Sequence, residues 1–245
     1  TFLALYMAAK ISSGGVWPDC DSRAAKGGVI ILTAEDDLAR VVRPRLDALG
    51  ADLSKIIALE AVNVRDEDGN EQREHFNLQD DLPALRQAVH QQGDTKLIVI
   101  DPLSAYLGGK VDSHKDSDVR SVLAPLAQLA EDSGAAVLSI RHLNKNLGGK
   151  AIYRGLGSVA FTAAPRTVWL VSKDPDDPDS KRRLLTAAKY NILVEPTGLA
   201  FEIIDGKVVF ENEPLDMTAD EALGQGSTVV AVEKDRAVDW LRKTL

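Results

Sequence analysis

The chain has 245 residues, 44% hydrophobic and 27% charged, with a formal net charge of −8. That is enough for a sizeable core in an ordinary globular protein, and the charge excludes a protein that coats nucleic acid over its whole surface, though not a local basic channel. Cys20 is the single cysteine, so no intramolecular disulfide can form; with no signal peptide and no apolar run near the ~20 residues of a membrane span, a cytoplasmic setting is expected.

Along the chain, "TFLALYMAAKISS" (1–13) places apolar residues at 3, 4, 7, 8 and 11, one face of a helix that Gly14-Gly15 closes. "GGVIILT" (27–33) reads as a buried strand running straight into Glu35, Asp36 and Asp37. Residues 36–49 read as a helix broken near Arg43 by Pro44, which removes a helix hydrogen bond. "KIIAL" (55–59) is a second strand, and residues 60–81, with eight acids against two arginines, read as a solvated excursion. A helix over 82–92, the strand "KLIVID" (96–101), a helix over 118–132 and the strand "AAVLSIRH" (135–142) follow. "RTVWLVS" (166–172) and "RRLLTAAKY" (182–190) are two further strands, and "LAFEII" and "KVVFE" flank the hairpin turn Asp205-Gly206. Beyond residue 215 two weak helical stretches surround a Gly/Ser-containing linker.

Strands alternating with helices through residue 142 predict a mostly parallel, doubly wound α/β sheet with helices on both faces. The later strands predict an antiparallel hairpin extension at one edge. The expected organisation is a core over 1–212 and a linker with a helical tail over 213–245, the start of a possible further domain. Both ends read as cut, since Thr1 already lies in an amphipathic pattern and "KDRAVDWLRKTL" has no cap after it.

Ligands of such sheets bind at the carboxyl ends of the strands, where this sequence places Glu35, Asp101 and the pair Arg141-His142. "LIVIDPLSAYL" has the form of a Walker B strand, whose aspartate holds Mg²⁺ beside a nucleotide's phosphates; a capping aspartate before a turn would look the same. Its partner would be a phosphate loop, G-x-x-x-x-G-K-[ST], and no such sequence occurs. Thr1 stands where the last residue of that loop belongs, so the chain is expected to start just after a Gly-Lys, and as written it lacks the lysine needed for activity. Asp36 is an adjacent alternative to Glu35, but it sits where the next helix starts and fits an N-cap better. From Arg141 to Lys173 the chain carries six basic residues and no acid, an asymmetry suited to a phosphate-bearing partner. Trp17 and Pro18 are read as ordering their loop. Cys20 has no His or CxxC partner, and the histidines at 75, 90, 114 and 142 show no metal-ligand spacing.

Taken in order, "TFLALYMAAKISSGGVWPD", "GGVIILTAEDD", "RPRLDALGAD", "KLIVIDPLSAYLG", "RHLNK" and "YRGLGSVAFTAAPRTVWLV" resemble the successive motifs of RecA-like P-loop ATPases, and most of all the RepA-like replicative helicases found beside plasmid and phage primases. The resemblance spans roughly residues 1–205. It implies ATP and Mg²⁺ as ligands, with Thr1 and Asp101 holding the metal and Glu35 orienting the water that attacks the γ-phosphate. His142 corresponds to the polar residue that senses that phosphate. Lys145, Lys150 and Arg154 correspond to the loop that holds single-stranded DNA, with Tyr153 as the one aromatic beside them. Arg166 and Lys189 stand where fingers act on a neighbouring subunit's nucleotide. At the second place the family often has Lys-x-Arg, but here Lys189-Tyr190-Asn191 leaves Lys189 alone.

The function so implied is an ATP-hydrolysing motor, a ring homo-oligomer such as a hexamer, acting on single-stranded DNA in replication, with a primase as a further candidate partner and no membrane. Two other readings remain open: a regulatory P-loop ATPase acting on a protein, and a non-catalytic nucleotide-binding or oligomerisation module.

Overall fold

The structure, a computed structural model, describes residues 1–59, 61–65, 71–143, 151–153, 157–177, 179–192 and 196–223, with backbone alone at 61–65, 71–74 and 153. Of these, the residues within 1–144, 156–164 and 204–208 form one compact unit, and those within 145–155, 165–203 and 209–245 another.

The first unit opens with helix α1 (Phe2–Ser13), which ends at Gly14 in the left-handed region with its N–H on the Lys10 carbonyl. Strand β1 (Gly28–Thr33) follows. Where the sequence predicts a helix broken by proline, a π turn over Leu38–Val42 leads into α2 (Arg43–Ala48). In an α-helix, Pro44 would owe a hydrogen bond to the Arg40 carbonyl and its ring would strike that carbonyl. The wider turn avoids this, with the Val42 N–H on Asp37 O and the Arg43 N–H on Leu38 O.

Strand β2 (Ile56–Leu59) is followed by a ribbon of β3 (Ala61–Arg65) and β4 (Glu71–His75), paired antiparallel within the stretch whose acids suggested a loop. Then come α3 (Leu82–Gln92), β5 (Thr95–Asp101), α4 (Asp116–Ser133) and β6 (Ala136–Ser139). The order β2-β1-β5-β6 is parallel throughout. Alternate residues along the central strands face opposite layers. Val29, Ile31, Leu97 and Val99 pack with α1 and α2, while Ile30, Leu32, Ile98 and Ile100 pack with Leu85, Val119, Val122 and Leu126 of α3 and α4. Each fully buried aliphatic side chain contributes about 2 kcal/mol, which is why β1 and β5 tolerate almost no polar residue until their ends. The short helix α5 (Ala160–Ala163) adds Phe161 to the second layer.

Strands β7 (Thr167–Lys173), β8 (Arg183–Tyr190), β9 (Gly198–Ile204) and β10 (Lys207–Leu215) form a four-stranded sheet of their own, ordered β10-β9-β8-β7. Asp205 and Gly206 make the expected hairpin turn, both at positive φ. Helix α6 (Ala219–Ala222), closed by a Thr218–Glu221 capping box, sets Ala222 against Leu184 and Ala200. Among the described residues no helix is long and apolar enough to cross a membrane.

Candidate nucleotide site

The chain runs from β1 outward to β2, then returns to place β5 on the other side of β1, so the strand order reverses between β1 and β5. That crevice, at the carboxyl ends of the strands, is where an open α/β sheet receives a ligand. Thr33 and Asp101 are register partners there, and the Ala34 N–H donates to the Asp101 carbonyl at 3.1 Å.

Asp101 is 2% exposed and neither of its carboxylate oxygens has a hydrogen-bond partner. Thr33 Oγ1 and Arg141 Nη2 are likewise buried without partners. Orphaned buried polar atoms are costly, and those of Thr33 and Asp101, register partners at the ends of β1 and β5, are available to a ligand there, whereas Arg141 turns to the Phe161 ring. Thr1, the N-cap of α1, brings its nitrogen to 3.4 Å from Asp101 Oδ2. Among the described residues no group of three or more His, Cys, Asp or Glu side chains could hold a metal ion. A single carboxylate free of hydrogen bonds fits Mg²⁺, which keeps several waters and takes its other oxygens from phosphates.

Glu35 lies in the bend after β1, and its Oε1 is 3.2 Å from His142 Nε2, both side chains being half exposed. Residues 107 positions apart thus meet across the end of the sheet. The acids after Glu35 have other duties. The N-cap of the π turn is Asp37, accepting from the Arg40 N–H at 2.7 Å, and not Asp36 as the sequence suggested. Asp36 instead pairs with Arg45 Nη1 at 2.9 Å. The same guanidinium stacks 4.1 Å over the ring of Phe2, so Arg45 braces the Glu35 bend against the start of α1. Sequence reasoning missed Arg45; its only signal was a basic residue nine positions after Asp36.

Arg166 and Lys189 come together in the second unit, where the Asn191 N–H donates to Arg166 O and Lys189 Nζ donates to Pro165 O at 2.7 Å. Arg166 is exposed, with no partner for its guanidinium among the described residues. Lys145, Lys150 and Arg154 lie outside the described residues, as does the Tyr153 side chain. The bridge Val16–Arg23 and the Trp17 N–H on Ser22 O close the turn that holds Trp17 and Pro18. Cys20 is exposed, its Sγ 2.8 Å from Ser22 Oγ. The second unit also holds an open cleft of about 470 Å³ among Ala187, Tyr190, Gly198 and Met217, lined by none of the sequence-predicted site residues.

The fold aligns with a solved structure described as an ATPase domain, with a TM-score of 0.53, 12% identity, and coverage of 75% of this chain and 74% of that one. At that identity the likeness is one of fold, and it is the RecA-like α/β fold. A comparison with curated proteins gives no significant match. The AAA domain family AAA_25 matches residues 1–148, the segment that carries Thr1, Glu35, Asp101 and His142. The chain belongs to the AAA domain family.

Proposed function

We propose that this chain is an ATP-hydrolysing, RecA-like motor that works as a homo-oligomeric ring, a hexamer, on single-stranded DNA during replication. The observation that carries the reading is the meeting of Glu35 and His142 at the end of the sheet that also holds the buried Asp101, whose carboxylate oxygens have no hydrogen-bond partner and, at Oδ2, lie 3.4 Å from the Thr1 nitrogen. A carboxylate half exposed at the end of β1 can accept a hydrogen bond from a water molecule and aim it at a phosphorus atom. His142 holds that carboxylate, and exchanging Glu35 for a γ-phosphate oxygen would free it for the water. Thr1 and Asp101 are the residues that would hold Mg²⁺, which when bound neutralises charge on the phosphates.

Of the two basic candidates for action on a neighbour's nucleotide, Arg166 is the better placed to reach out. Lys189 already grips the Pro165 carbonyl, whereas the exposed Arg166 has the planar fork suited to phosphate. Lys145, Lys150 and Arg154, in the segment without acids, supply the DNA contacts. A primase fits as a further partner.

The test is steady-state ATP hydrolysis by the full-length protein, with and without single-stranded DNA, beside Glu35→Gln. Expected are stimulation by DNA and a loss of about 100-fold or more in the variant. Hydrolysis indifferent to DNA would instead favour a regulatory ATPase with a protein partner, and no hydrolysis would leave a binding or oligomerisation module.

A further inference from the structure

Arg141 is spent at some cost. Its guanidinium lies 4.0 Å over the ring of Phe161, its Nη2 is buried without an acceptor, and among the described residues no carboxylate pairs with it. Burial pulls its pKa down to about 10. A leucine or methionine would cover Phe161 without desolvating a charge.

The surroundings show what the stack does. Ile140 is gripped on both sides, its N–H on Ile100 O and its carbonyl accepting from the Leu103 N–H, each at 2.9 Å. Past that point the chain leaves the sheet, and consecutive side chains diverge: Arg141 goes to Phe161 and His142 to Glu35. Phe161 itself is a firm platform. Ser158, just before α5, donates its N–H to Ser113 O at 2.8 Å and its hydroxyl to Asp116 at the start of α4, while its oxygen accepts the Ala160 N–H. Gly157 sits at φ +92°, where a Cβ would come within 2.6 Å of Ser113 O, so the approach to α5 admits no side chain. A flat guanidinium over a fixed ring sets the orientation of residue 141, and through the shared peptide that of His142.

We propose that Arg141 is a positioning residue that acts through His142, its stack on Phe161 holding the imidazole within reach of Glu35. The inference rests on the role given to His142 above.

A double-mutant cycle in the full-length protein tests it, with ATP hydrolysis as the readout. Arg141→Met is expected to lower kcat about tenfold with KM for ATP within about twofold, and in a His142→Asn background to change kcat by less than about twofold. Arg141→Lys, which restores a cation over the ring, is expected to recover most of the loss. Undiminished kcat in Arg141→Met, or a loss that persists when His142 is already Asn, overturns the proposal. Should Arg141→Met not fold, as judged by its thermal melt, Phe161→Leu enters the same cycle with the same expected and overturning results. If His142→Asn alone is as active as the wild type, the reading of His142 falls and this inference with it. If that variant is impaired and the cycle is additive, this inference alone falls.

Discussion

Asp174 is 5% exposed, and Arg182 makes its burial tolerable, with Nη1 on Asp174 Oδ2 at 2.6 Å and Nε and Nη2 on the two oxygens of Glu211. The Arg182 hydrogen bond holds the Asp174 carboxyl below the usual range, and the same guanidinium lowers Glu211. A carboxyl depressed in the folded state adds stability above its unfolded value near pH 4, and loses it as pH falls through the lower folded value. Asp174→Asn should therefore cost about 2 kcal/mol near neutral pH. Thermal melts should show its deficit against the wild type constant above about pH 5 and shrinking below about pH 4. At this scale the candidate site was partly legible. Glu35, Asp101 and His142 could be named because a charged or polar residue ending an apolar run stands out. Asp36 and Asp37 were harder to divide, since both acids suit a helix start and only the position of Arg45 decides which is drawn away.

Pro44 shows how one residue shapes an element. With its N–H missing, the chain widens to a π turn before α2, and that extra residue sets the angle at which Arg45 leaves the helix. Pro44→Ala should let residues 38–48 run as one α-helix, turning Arg45 by about 100° away from Asp36 and Phe2. A crystal structure of the variant checks the geometry, and ATP hydrolysis is expected to fall with the loss of that brace. Retention of the π turn in the variant would show that Pro44 is not its cause. The β3–β4 ribbon was the element least visible in advance. Its eight surrounding acids suggested solvent, yet Val62 and Val64 pair with Glu74 and Gln72, and pairing of that kind depends on a partner strand rather than on local composition.

For the molecule as a whole, the proposed DNA contact makes an ionic prediction. Neutralising three phosphates of a single strand gives a slope of about −2 in log K against log salt. Fluorescence anisotropy of a labelled oligonucleotide over about 50 to 200 mM salt should show a slope at least that steep. Replacing Lys145, Lys150 and Arg154 together by alanine should flatten it. A slope unchanged in that variant would place the DNA contacts elsewhere. A net charge of −8 makes this informative, because a nonspecific surface of that sign would repel the strand.

The sequence alone determined the alternation of strands and helices in the first unit, the parallel sheet and the identity of the residues at its carboxyl edge. It could do so because burial imposes period two on strands and three to four on helices, and charge at a strand end breaks that pattern visibly. Only the tertiary structure decided that Glu35 meets His142, that Asp101 is buried without a hydrogen-bond partner, and that Arg141 lies on Phe161. Those contacts join residues brought together by strand order and packing, and no local pattern in a chain encodes which distant side chain will arrive beside it.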